Sequence, residues 1–198
     1  MIRKRLENQM SFLIEAEKLK AVYRQNTVYD NSRHENSAEH SWHLALMAVV
    51  LSGEAIDPGV DILRVIEMVL IHDLVEIDAG DTFLYDEEGN LDKEERERRA
   101  ADRIFGLLPE DQRDRFLGLW REFDARETPS ALFAAALDNM QPVVNHYVSD
   151  GCGVKGNGLT VGQVIAKKAF IGDVSPALWE YTRETIAKSE RAGFYSAE

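Results

Sequence analysis

His72 and Asp73 stand side by side in an apolar stretch, VIEMVLIHDLVEI, with His40 upstream and Asp138 downstream in the equally apolar ALFAAALDNMQPVV. Imidazole nitrogens and carboxylate oxygens are ligands for divalent cations of borderline hardness. The four side chains make a full set for one cation, and the chemistry such a site serves is hydrolysis by activated water. Charged groups in segments that otherwise demand burial need partners or a metal, so the company these residues keep carries the reading more than any one of them. Glu76 lies four residues beyond His72 and three beyond Asp73, on the same face of a continuing helix and placed to meet water at the cation. His40 and His43 are three apart on an upstream helix, and spacing alone does not choose between them. Flanking by Glu39 and Ser41 favours His40 as the ligand, with His43 behind it. Pro142 offers no N–H to the carbonyl of Asp138, which predicts a kink at that ligand.

The elements that must position these residues read as helices. Residues 1–24 place Leu6, Met10, Leu13, Ile14, Leu19 and Val22 at helical intervals. A second helix begins at Asn36-Ser37, either of which can cap it, and carries Leu44, Met47, Val50 and Leu51. A third runs from Pro58 through Asp61 to Leu74, apolar almost all round, and belongs at the centre of the fold. Residues 78–90 are a loop rich in Asp and Gly; Leu91 to Leu108 and Pro109 to Phe123 are charged, amphipathic helices, and the run DKEERERRA is a solvated face. Thr128-Pro129 and Ser175-Pro176 each open a helix with a cap followed by proline. Gly151-Cys152-Gly153-Val154-Lys155-Gly156 has the glycine spacing of a dinucleotide-binding loop but follows a helix, so it reads as a flexible connection from which Lys155 can touch a substrate. No stretch alternates with period two. The expectation is one all-α domain spanning residues 1–198, a helical bundle of about seven or eight helices with little or no strand, and a metal-site core within about residues 24–145.

Composition narrows the partners. A formal charge of −12 works against nucleic-acid polymers, while a small phosphate ester fits if a metal and local arginines reverse the field in a pocket. No apolar run approaches the roughly 18–20 residues of a membrane span, and the start MIRKRLENQM lacks the order of a secretion signal. The single Cys152 cannot form an internal disulfide. A cytoplasmic protein is expected, and exposed apolar positions on the terminal helices suggest a homodimer.

In chain order, Arg24, HENSAEHS ending at His40-Ser41, HDLVE at 72–76, GDT at 80–82 and LD at 137–138 resemble the HD-domain metal-dependent phosphohydrolases, and more narrowly their bacterial 5'-deoxynucleotidase branch. The resemblance runs from about Leu19 through SPALWEYTRETI. It implies an HD-type helical bundle in which His40, His72, Asp73 and Asp138 bind the metal, Glu76 and Asp81 take part in catalysis, and Arg24 contacts the phosphate. The spacing from Arg24 to His40 is shifted by a residue from the family pattern, which keeps Arg33 as a rival phosphate contact. The implied cofactor is a transition metal, Mn, Co, Fe, Ni or Zn rather than Mg. The implied substrate is a (deoxy)nucleoside 5'-monophosphate, cleaved by metal-activated water in a homodimeric enzyme. Alternatives are another HD-type hydrolase of nucleotide triphosphates or alarmones, and a non-catalytic metal- or nucleotide-binding scaffold. Cyclic-diester enzymes of this class use further histidines for a second metal; His34, His43 and His146 are the spares here. Tyr23, Trp42, Phe83, Tyr85 and Trp120 are the aromatics from which a base-stacking residue can come.

Overall fold

The computed structural model describes residues 2–86 and 88–196. Helix α1 (Ile2–Ala16) leads through a 3-10 turn (Glu17–Ala21) into a hairpin of β1 (Tyr23–Thr27) and β2 (His34–Asn36). There follow α2 (Ser37–Val50), α3 (Ile62–Ile71), a 3-10 turn (His72–Val75) and α4 (Glu76–Ala79). The chain continues with α5 (Lys93–Phe105), α6 (Glu110–Ala125), α7 (Pro129–Val148), α8 (Val161–Lys168), α9 (Ile171–Val174) and α10 (Pro176–Arg191). Among the described residues eight helices have eight residues or more, and α4 and α9 are single turns. The expected helical bundle is therefore found, with one short antiparallel hairpin as its only sheet among those residues.

Two of the expected helices, and the choice of central helix, differ from the sequence reading. The first helix stops at Ala16, because Tyr23–Thr27, with three residues of weak helix propensity, satisfies its backbone by pairing with His34–Asn36 instead. The third helix starts at Ile62, behind an Asp61 side chain that accepts from the Leu63 and Arg64 N–H groups, and yields to a 3-10 turn at His72. Leu63 and Leu70 stay exposed on it, so the centre belongs to α7 instead. That helix is capped by Thr128, has Pro129 in its first turn, and packs against α2, α3, α6, α9 and α10. Its run of small residues, Ala131, Ala134, Ala135 and Ala136, is wholly buried and lets neighbouring helices approach closely. The helix continues through Pro142 to Val148.

The apolar stripe of α1 buries only Phe12, which packs on Phe105 of α5 and Phe116 of α6, with ring centroids 6.4 and 5.6 Å away. Leu6, Leu13 and Ile14 remain exposed. In the glycine-rich segment after α7, Val154 is buried and a Cβ on Gly153 (φ 84°) would come within 2.8 Å of the Gln25 carbonyl oxygen, while residues 155–158 are exposed. Lys155 lies over the Phe194 ring, 4.4 Å from its centroid. No helix among the described residues is long and apolar enough to cross a membrane.

Candidate metal centre and its cavity

Asn36 closes β2 and opens α2. Its side chain accepts from the Glu39 N–H at 2.9 Å while the Glu39 carboxylate accepts from the Asn36 N–H at 3.2 Å, a reciprocal cap that fixes the first turn and turns His40 fully into the interior. His72 and Asp73 sit at the break between α3 and α4. Residues three apart eclipse in a 3-10 turn, so Asp73 and Glu76 point the same way, and all three side chains are buried. Asp138 comes from the middle of α7.

These four meet. His40, His72 and Asp73 each offer a ligand atom within 4.8 Å of the others. Asp138 Oδ1 lies 3.0 Å from His40 Nε2 and 3.8 Å from His72 Nε2. The far nitrogens of both rings are anchored. His72 Nδ1 donates to the Val69 carbonyl at 2.9 Å, and His40 Nδ1 donates to Gln141 Oε1 at 3.2 Å. Gln141 is oriented by its own Nε2, which donates to Glu35 Oε1 at 3.2 Å. In the neutral form each ring, so anchored, turns its Nε2 lone pair to the centre, where His40 Nε2 is within hydrogen-bond distance of Asp138 Oδ1. His72 Nε2 is buried and has no hydrogen-bond partner; although Asp73 Oδ1 is 2.9 Å away, the approach lacks hydrogen-bond geometry. Lone pairs crowded against carboxylate oxygens are unfavourable without a cation, so the donor set fits a divalent metal ion.

The surrounding charges respond to this crowding. Burial disfavours a charged His72, yet Asp73, Asp138 and Glu76 together hold its pKa up to about 9 when no cation is bound. Burial raises the Asp73 carboxyl, but His72 and Arg24 outweigh it and bring it to about 2. Asp138 is likewise lowered, its burial overcome by the two imidazoles and Arg24. Glu76 is pushed well above the usual carboxylate range, first by burial and then by Asp73, and its Oε2 accepts from Ser37 Oγ at 2.7 Å. Asp81 is raised by burial, which Arg24 opposes and Asp73 reinforces. Arg24, directed inward from β1, donates to Asp73 Oδ2 at 3.1 Å and lies 3.9 Å from Asp81 and 3.8 Å from Glu35.

A cavity of about 330 Å³ opens on this cluster, lined by Arg24, His72, Asp73, Glu76, Asp81 and Asp138, among others. Phe83, Tyr85 and Trp120 face it as well, whereas Tyr23 and Trp42 are exposed elsewhere. Arg33 is not brought to the cluster: it lies on the surface in a two-pronged ion pair with Glu39, at 2.6 and 2.9 Å. His43 sits behind the centre, 3.5 Å from Gln141 Nε2. Sequence reasoning passed over Glu35 and Gln141, which orient His40, and over Asn139 and Lys168 in the cavity wall. Gln141 did carry a signal, as a polar residue inside an apolar helix. Lys168 carried none that separates it from Lys167.

A family model described as HD domain matches residues 16–179. The zebrafish (Danio rerio) 5'-deoxynucleotidase HDDC2 is 29% identical over 140 residues, 70% of this chain and 68% of that protein. Human (Homo sapiens) 5'-deoxynucleotidase HDDC2 is 31% identical over 136 residues, 68% of this chain and 65% of that one. The chain thus aligns with about two thirds of the length of these curated relatives. A solved structure, a predicted metal-dependent phosphohydrolase from Magnetospirillum magnetotacticum, superposes with a TM-score of 0.91 at 47% identity, covering 98% of this chain and 100% of that one. With a family match extending from the end of α1 into α10 and including every residue of the cluster, this chain belongs to the HD-domain family.

Proposed function

We propose that this HD-domain phosphohydrolase is a phosphomonoesterase acting on deoxynucleoside 5'-monophosphates. The observation that carries the reading is the meeting of the His40 and His72 Nε2 atoms with Asp73 and Asp138 beside a cavity that also holds Arg24, Glu76 and Asp81. Its volume of about 330 Å³ is at the small end of ligand pockets, which run about 300–1,000 Å³, and suits one nucleotide rather than a polymer.

His40, His72, Asp73 and Asp138 would hold a divalent cation, which would supply Lewis-acid polarisation of the phosphoryl group and acidify water. Mixed nitrogen and oxygen donors favour Mn, Co, Fe, Ni or Zn over Mg. The protein's own groups do the rest. Arg24 keeps N–H donors beyond the one given to Asp73 and offsets phosphate charge. Glu76 Oε2 is engaged by Ser37, which leaves Oε1 to orient the attacking water and take its proton. Asp81, which lines the same cavity, gives a proton to the departing ester oxygen. The water oxygen bonds to phosphorus, the ester bond breaks, and the products are the nucleoside alcohol and inorganic phosphate. The exposed Leu6, Leu13 and Ile14 face of α1 supports a homodimer, and the lone Cys152 suits a reducing cytoplasm.

The test is phosphate release across deoxy- and ribonucleoside 5'-monophosphates with Mn, Co and other divalent cations, beside Glu76→Ala. Release favouring the deoxy sugar and lost in the variant supports the reading. No release from any monophosphate with any cation rejects it.

A further inference from the structure

Lys168 is a cation in the cavity wall that the reaction above leaves unused. It projects from α8, is only 5% exposed, and donates from Nζ to Asn139 Oδ1 at 2.9 Å. Asn139 is held in turn, its Nδ2 donating to the Ala135 carbonyl at 2.9 Å, so its oxygen is the atom turned to the lysine. The ammonium makes no ion pair with a carboxylate among the described residues. An ammonium has three N–H donors. One neutral amide acceptor satisfies one of them, and a buried charge left so poorly compensated is unfavourable. Burial accordingly draws the Lys168 pKa down to about 8, against the pull of Asp138.

What compensates it must enter through the cavity, because Lys168 and Asn139 line the same space as Arg24, His72, Asp73 and Asp138. Asn139 follows Asp138 directly on α7, which ties the lysine to the ligand cluster, while Arg24 reaches the same space from β1. The complement of two separate cations with spare donors is a compact oxyanion with several acceptor oxygens. Nucleobases and sugars do not offer that. We propose that Lys168, aimed by Asn139, binds the phosphate group of the substrate and of the inorganic phosphate product, as a second cationic contact besides Arg24. This assignment rests on the phosphomonoesterase reading of the cavity.

Lys168→Met and Lys168→Gln remove the charge at nearly constant length. With metal content equal to that of the wild type, calorimetric titration with inorganic phosphate should show affinity reduced on the order of ten- to a hundredfold, the range expected for losing one charge-assisted hydrogen bond. The KM for a deoxynucleoside monophosphate should rise by a similar factor with kcat changed less. The melting temperature without phosphate should hold or rise, as a lysine serving structure alone would not allow. Wild-type phosphate affinity in either variant overturns the proposal, as does a loss that merely tracks loss of metal. Should neither variant fold, ¹⁵N-lysine spectra of the wild type decide: phosphate must shift the Lys168 Nζ resonance, and an unmoved resonance counts against the assignment. A wild type that binds phosphate through Lys168 but hydrolyses no nucleoside monophosphate keeps the anion site and discards the substrate reading.

Discussion

His72 Nε2 and Asp73 Oδ1 lie 2.9 Å apart, buried, without forming a hydrogen bond. Adjacent residues rarely point their polar atoms at one spot, and here the 3-10 turn between α3 and α4 makes them do so. On the proposed reading the two are donors to a common ion. His72→Ala and Asp73→Ala should therefore lose the metal itself and, with it, all turnover. Elemental analysis of protein purified without chelator measures this, and a full equivalent of metal in Asp73→Ala would remove that residue from the ligand set.

Glu76 shares the turn but has a different part. Its Oε2 is engaged by Ser37, and burial beside Asp73 makes the carboxyl a stronger base than an exposed glutamate. Glu76→Ala should keep its metal and lose about 10²–10⁴-fold in kcat, the usual scale of general acid–base help. Steady-state kinetics at matched metal content decide it; an unchanged kcat would transfer the water-activating role to Asp81.

Gln141 is expected to act through His40. Its Oε1 accepts from Nδ1 and so keeps the Nε2 lone pair facing Asp138. Gln141→Leu removes that acceptor while preserving bulk in a buried position. Loss of such a supporting contact typically weakens metal binding by about 10–100-fold. Chelator competition gives the affinity and circular dichroism the fold; undiminished affinity would mean that packing alone orients the imidazole.

The convergence of the candidate metal ligands was legible because charge inside apolar helices is costly, and His72, Asp73 and Asp138 stand out for that reason. Arg24 was legible only through resemblance. Helical spacing continues to Val22, and nothing local reveals that Tyr23–Thr27 pairs as a strand, since the partner His34–Asn36 lies beyond a turn. That pairing sends Arg24 into the cavity and leaves Arg33 on the surface, a choice that a count of residues could not make. The stripe on α1 misled in the opposite sense: its spacing promised burial, yet the bundle covers only Phe12. Lys168 illustrates a harder limit, because two successive lysines on one helix differ only in what α8 packs against, and that is a property of the whole fold.

His146 couples the cavity to acid stability. Buried on α7, its Nε2 lies 2.8 Å from Asn26 Oδ1, tying β1 and hence Arg24 to the central helix. Burial, with the charge of Lys168 adding to it, lowers its pKa from 6.5 to about 4. The unfolded chain therefore binds the proton more readily between those two values, so the contribution of the neutral ring is complete above about pH 6.5 and is lost as pH falls towards 4. A shift of this size corresponds to roughly 3 kcal/mol at the acid end. His146→Gln keeps a donor for Asn26 but cannot titrate, so its stability should fall less steeply with acidification than that of the wild type. Urea unfolding of both proteins at about pH 7 and about pH 5 measures the difference, and parallel losses would place the acid sensitivity in the carboxylates around the metal centre instead.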